Sequence, residues 1–277
     1  MKLLISADME GATGVTWPAD VEPGTEQWQR CRKMFTADVN AAVAGFFDGG
    51  ATEVLINEAH ATMRNLLLEE LDERAEMLTG RHKDLSMVEG IQHGDVDGVA
   101  FVGYHAAAGA EGVLAHTYLP NSITAVRVNG DRASEGRLNA YVAAQFGVPV
   151  VLITGDDRTC ADAAGYAPAA PAIPVKTCVS RYAAVCLPPA KSAAAIRAGA
   201  AAGAALAGQA GPAPDSQFRV QVEVDAAQLA QAAAIVPGVR RTGDRLAEYA
   251  SSSATEMIRT FKVVCTMISA AVEDAYG

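Results

Sequence analysis

Positive charge is scarce in this chain. Twenty-two Lys and Arg stand against 32 Asp and Glu, a formal net charge of −10 over 277 residues, and no basic run offsets it. Nucleic-acid affinity rests on clustered Lys and Arg, so a phosphate-backbone partner is not expected. The five cysteines (Cys31, Cys160, Cys178, Cys186, Cys265) are scattered, odd in number and without CxxC spacing. That speaks against a disulfide framework or a Cys-rich zinc site and fits a reducing cytoplasm. Cys31, Cys160 and Cys178 lie near no recognisable base motif, which removes a thiol nucleophile. Nothing resembles a signal peptide, because Met1–Ser6 runs straight into Asp8 and Glu10. The most apolar later stretch, Lys191–Ala210, carries Lys191 and Arg197 and is rich in alanine, not leucine. It reads as a soluble helix, so no membrane partner is expected. No HExxH motif, phosphate-binding glycine fingerprint or fixed-period repeat occurs.

What is present is ordinary globular material, half hydrophobic and 19% charged, long enough for one large α/β domain or a main domain with a smaller companion. Lys2–Ala7 reads as a strand, Glu26–Phe47 as a helix stopped by Gly49-Gly50, and Thr52–Asn57 as a second strand. This is the strand–helix–strand unit of a parallel sheet. Val96–Gly103, Ile123–Val128 (before the Asn129-Gly130 turn) and Val148–Thr154 are further strands, with a helix over Leu138–Phe146. After about Lys176 the character changes. Cys186–Pro189 is a break, an alanine-rich helix follows, and Gly211–Pro214 is a linker. Phe218–Val224 alternates like a half-exposed strand, and Ala250–Tyr276 is expected to form a long final helix. The fold class is therefore α/β: a main domain with a mostly parallel sheet flanked by helices, plus a smaller C-terminal α+β part. The expected division is 1–186 for a catalytic, metal-binding domain and 187–277 for the smaller region.

Chemistry gathers where the first-half strands end. The first strand is followed by Asp8 and Glu10, the second ends in Asn57 and Glu58 with His60 beyond, and the third is followed by Tyr104 and His105. Ligands in open parallel sheets bind outside the carboxyl ends of strands, so these residues should converge. Asp8 and Glu10, two apart, point to one side of extended backbone. His116 follows after a glycine-containing loop, and Glu135 lies just past the Asn129-Gly130 turn. A lone strand-end acid is more often a cap and a lone histidine more often structural. Their joint occurrence at successive strand ends favours function. Zinc accepts imidazole and carboxylate donors, and a pair of ions activates water and clamps entering and leaving atoms. His116 would remain free to handle a proton.

Ser6-Ala7-Asp8-Met9-Glu10-Gly11 resembles a signature of the DppA-type D-aminopeptidases, a family of dinuclear zinc peptidases. The likeness continues through Val54–His60, Ser86–Gly90, Gly103-Tyr104-His105-Ala106, Glu135 with Leu138–Tyr141, and Gly155-Asp156-Asp157. Ser180-Arg181 and Cys186–Ala190 extend it, and it is strongest from residue 1 to about 190. The resemblance implies two zinc ions per subunit. Asp8 would bridge them, Glu10 and His60 would complete one ion's protein ligands, and His105 and Glu135 the other's. His116 falls on the family's catalytic histidine, a nucleophile or a proton shuttle. It further implies removal of an N-terminal D-amino acid from short peptides, and a ring-like homodecamer whose sites face an inner channel. Two departures stand out. Glu58 occupies a place where the family often has Asp, and a longer carboxylate there is expected to reorient His60 or reshape the pocket. Ser134 stands before Glu135 where glycine is common.

Other polar residues read more plainly. Asp156 and Asp157 fit a helix cap ahead of Arg158, and His82 and His93 are surface histidines. Asn121 is either an oxyanion donor or a loop residue, and Glu89 either a substrate-ammonium partner or a solvated charge. Two other functions share the sequence evidence: a metal-dependent amidase or esterase acting on a non-peptide small molecule, and a non-catalytic peptide-binding assembly with a structural metal site.

Overall fold

Burial on both faces explains how the main sheet forms. In β1 (Lys2–Ala7), Leu3, Ile5 and Ala7 face one side and Leu4 and Ser6 the other, and all five are fully buried. Double-sided burial is the usual condition of parallel strands. The structure is a computed structural model that describes residues 1–213 and 215–273.

Helix α1 (Glu26–Asp48) starts where the Thr25 side chain accepts a hydrogen bond from Trp28 N, and stops at Gly49. Its buried Phe35, Val39, Val43 and Phe46 recur at helical spacing. β2 (Glu53–Glu58), β3 (Ala75–Leu78) and β4 (Gly98–Val102) follow. β5 (Ile123–Val128) and β6 (Asp131–Arg132) form a hairpin on Asn129-Gly130, whose φ values of +54° and +96° suit a two-residue type I′ turn. Next come α2 (Glu135–Gln145), β7 (Val150–Asp156), α3 (Asp157–Ala163), β8 (Ala172–Ser180), β9 (Ala183–Cys186) and α4 (Pro189–Gly203). The chain closes with β10 (Phe218–Val224), α5 (Ala227–Ala233), β11 (Arg240–Gly243), β12 (Leu246–Ser251) and α6 (Ala254–Ala270).

The large sheet has the order β3-β2-β1-β4-β7-β8-β9, parallel except for the β8–β9 pair. The second sheet, β11-β12-β10-β5-β6, is antiparallel throughout. The α/β class with a mostly parallel sheet is thus what forms. One apolar layer lies between the large sheet and helices α1 and α4. The other joins its opposite face to α2, the second sheet, α5 and α6. Sheet membership does not follow chain order. β5 and β6 pair into the second sheet, while α4, later in the chain, packs on α1.

The final helix is shorter than its apolar pattern predicts. Ala250 and Ser251 belong to β12, held in register with Arg219 and Phe218, and α6 begins behind the Ser253 cap. Strand pairing prevails over local helix preference there. Of the expected helix, Asp274–Tyr276 lie outside the described residues, as does Pro214 of the expected linker. Among the described residues no helix is long and apolar enough to cross a membrane.

The contact of α1 with α4 is close enough to test. A methyl group at Gly45 would collide with the Arg197 carbonyl and lie 2.7 Å from Ala200 Cβ. Ala is preferred to Gly in a helix by ~1 kcal/mol, whereas overpacking costs ~1–3 kcal/mol. A helix carbonyl cannot step aside alone, so the clash should win. Gly45→Ala is expected to lower the urea midpoint of the metal-free protein. A raised midpoint would show that the helices part at no cost.

Candidate metal centre

β1 lies between β2 and β4, with Ala7 in register with Glu58 on one side and Val102 on the other. The backbone just beyond these three carboxyl ends carries Asp8 and Glu10, His60, and His105. They become neighbours across the sheet though far apart in sequence. Glu135 arrives from the other sheet as the first residue of α2, behind Ser134. Ser134 Oγ accepts from Arg137 N (3.2 Å) and donates to Asp162 (2.6 Å), so this residue serves as the helix cap. His116 sits in the irregular segment between β4 and β5, its N–H donating to Ala106 O (3.1 Å).

All six residues come together, and each is at most 9% exposed. His60 Nδ1 lies 3.0 Å from Glu10 Oε2 and 3.5 Å from Asp8 Oδ1. His105 Nε2 lies 3.3 Å from Asp8 Oδ2 and 3.4 Å from Glu135 Oε1. Tetrahedral zinc with bonds of ~2.0–2.1 Å sets its donors ~3.4 Å apart, so these separations suit a cation. Asp8, Glu10 and His60 form one donor group; Asp8, His105 and Glu135 form another. A third, Glu10, His105 and His116, overlaps both. His116 Nε2 stands 3.7 Å from Glu10 Oε1 and 3.9 Å from Glu135 Oε1, and its ring stacks on His105 at 4.1 Å.

The outer nitrogen of each ring meets a backbone carbonyl: His60 Nε2 with Val21 O (2.9 Å), His105 Nδ1 with Ala106 O (3.0 Å), His116 Nδ1 with Leu114 O (2.8 Å). Donation there leaves the inner nitrogen with a lone pair for a cation or proton. Asp8 Oδ2, Glu10 Oε2 and His105 Nε2 are buried without hydrogen-bond partners. Three buried carboxylates facing one another require positive charge. Burial alone would pull His60 and His105 down, but the surrounding carboxylates outweigh it and hold both well above the ordinary imidazole value. Burial likewise pushes Glu10 and Glu135 up, and the histidines more than reverse it. His116 goes the other way, lowered by burial and then by its charged neighbour His105. The donor set therefore fits zinc.

Some strand-end polar residues do other work. Glu58 does not touch the His60 ring. Its carboxylate accepts from Asn65 N and Leu66 N (2.6–2.8 Å), capping the loop after β2. Asn57 donates to Ser86 O and Met87 O, and the Tyr104 hydroxyl pairs with Ser6 (2.6 Å) and Asn139 (3.0 Å) in the core. Asp156 caps α3, accepting from Thr159 N (2.7 Å). His82, His93 and Asn121 are exposed. Glu89 accepts from Leu85 N and Gln92 Nε2, which makes it a turn organiser. All five cysteines are free thiols.

Two residues near the site escape sequence reading. Asp38 on α1 accepts from Thr13 N (2.8 Å) and Thr13 Oγ1 (2.9 Å), and burial pushes its carboxyl up to about 6. Lys176 on β8 is fully buried against the segment after β1. In sequence both look like surface charges, and the signal available was an apolar flank: Val39 beside one, Val175 near the other.

Fold and site define an α/β protein with two donor groups sharing one carboxylate at the carboxyl edge of a parallel sheet, the arrangement of a dinuclear metallohydrolase. A family model described as D-aminopeptidase matches residues 1–263, and the chain belongs to that family. A D-aminopeptidase of Bacillus subtilis (strain 168) is 38% identical over 192 residues, 69% of each chain. The structure of the Zn-dependent D-aminopeptidase DppA from Bacillus subtilis, a self-compartmentalizing protease, superposes with a TM-score of 0.92 at 32% identity. That match covers 97% of this chain and 98% of the other.

Proposed function

We propose that this chain is a zinc-dependent aminopeptidase that removes an N-terminal D-amino acid from short peptides. One observation carries the two-ion reading: Asp8 turns one oxygen to His60 and the other to His105, so a single carboxylate serves both donor groups. Asp8, Glu10 and His60 would hold one zinc ion, and Asp8, His105 and Glu135 the second. Bound zinc would polarise the scissile carbonyl and activate water.

The chain's own groups manage the proton. His116 Nε2 faces one carboxylate from each donor group, and its Nδ1–H is anchored on Leu114 O. Burial and a cationic neighbour keep this imidazole neutral near pH 7, ready to take a proton and return it to the leaving amine. Glu135 is held in place by Tyr118 N, which donates to Oε1 (2.7 Å). A cytoplasmic setting is supported by the five free thiols. Homo-oligomerisation is supported by the self-compartmentalizing character of the Bacillus subtilis DppA structure; a ring of ten enclosing the sites rests on the family resemblance alone.

The test is hydrolysis of D-Ala-p-nitroanilide against its L counterpart, with metal-stripped protein and with zinc restored. Cleavage of the D form should vanish on stripping and return with zinc. Equal cleavage of the L form, or indifference to stripping, would overturn the assignment.

A further inference from the structure

The segment Asp8–Thr16 carries two of the metal-ligand candidates yet belongs to no strand or helix. Its backbone groups must find partners elsewhere. Two of the donors are met by Asp38, which accepts from Thr13 N, and by Gly103 O, which accepts from Gly11 N (2.7 Å). Three of the acceptors converge on one cation. Lys176 Nζ donates to Glu10 O (2.6 Å), Ala12 O (2.9 Å) and Val15 O (2.6 Å). An ammonium has three N–H donors, and all three are used on this segment. Lys176 is 2% exposed and comes from β8, more than 160 residues away in sequence.

We propose that Lys176 is a positioning residue for the zinc ion at Asp8, Glu10 and His60: its ammonium grips the peptide of Glu10 and so sets where that carboxylate points. This rests on the two-zinc reading above. One of the three carbonyls that Lys176 binds is Glu10's own, its carbon one bond from the Cα that bears the ligand side chain. Rotation of that peptide would swing the carboxylate away from His60 Nδ1, now 3.0 Å from it. The other donor group is anchored independently. His105 is oriented by Ala106 O, and Glu135 by Tyr118 N and the capped start of α2. Lys176 donates to neither. The consequence is asymmetric: without the ammonium one ion should be lost and the other kept.

The experiment is zinc titration of the metal-stripped full-length protein against a chromophoric chelator, for wild type, Lys176→Met and Lys176→Gln. Glutamine is the milder change, since its amide still offers two donors, and it serves if the methionine variant does not fold. D-Ala-p-nitroanilide turnover supplies kcat and KM separately. Wild type should bind two zinc ions. Each variant should bind one with unchanged affinity and the second at least ~10-fold more weakly, as when groups that orient a ligand are removed. kcat should fall with the second ion, while zinc in excess restores it. Two ions held at wild-type affinity in the variants would overturn the proposal, and so would joint loss of both. A wild type that binds fewer than two would overturn the two-zinc reading itself.

Discussion

Asp8→Ala is expected to leave the protein without tightly held zinc and to lower kcat/KM on D-Ala-p-nitroanilide by more than about a thousandfold, roughly 4 kcal/mol at 1.36 kcal/mol per decade. The two oxygens of this carboxylate belong to different donor groups, 3.5 Å from His60 and 3.3 Å from His105, so its removal breaks both. Glu10→Ala and Glu135→Ala each break only one of these groups, and each should retain one ion. The stability of the metal-free proteins should run in the opposite direction. Asp8, Glu10 and Glu135 are buried together, and without a cation their mutual repulsion is met only by protons on His60 and His105. Deleting one carboxylate relieves that repulsion, so metal-free Asp8→Ala should melt no lower than metal-free wild type. Zinc should then raise the melting temperature of wild type and leave the variant unmoved, because only binding to the folded state stabilises. Zinc content by elemental analysis and melting curves with and without zinc are the measurements. An Asp8→Ala protein with two ions and full activity would sink the site assignment.

The legible part of this site is the part that strand ends dictate. Asp8, His60 and His105 each lie one to three residues past the end of a strand built on a short apolar run, and the order β2-β1-β4 makes those ends adjacent. Burial on both faces makes such runs nearly continuous in apolar residues, and so readable. Reading them does not say which strand-end polar residues turn inward. Glu58 ends β2 and Tyr104 lies just past β4, yet they serve a loop and the core. Glu135 could be noted as a carboxylate just past the Asn129-Gly130 turn, but strand ends do not dictate its place at the site, because it enters from α2, behind a hairpin that pairs into the other sheet. Nothing in Ile123–Val128 reveals that partner, since alternation reports which residues are buried and not against what. Lys176 was invisible for a stronger reason. A lysine in a strand normally implies solvent, and only the three-dimensional placement of three carbonyls makes its burial tolerable.

Replacing His116 separates catalysis from metal binding. His116→Asn is expected to keep two zinc ions and nearly unchanged KM while kcat falls by ~10²–10⁴-fold, the usual contribution of a positioned proton carrier. The sign of the pH effect follows from its surroundings. Burial, and then the charge on the stacked His105, disfavour protonated His116, so its pKa lies below the ordinary imidazole value. A cation held by His105 would act in the same direction as the proton it replaces. As a base, His116 must be neutral, so wild-type kcat should be flat around pH 7 and decline only as pH drops through that lowered value. The variant should lose this acid limb. The alternative is structural and has its own signature. His116 shares a donor group with Glu10 and His105. If it were a ligand, His116→Asn would shed zinc, and the loss of turnover would be reversed by raising the zinc concentration. A zinc-replete variant that remains slow, with a flattened acid limb, leaves the proton as the only thing His116 was carrying.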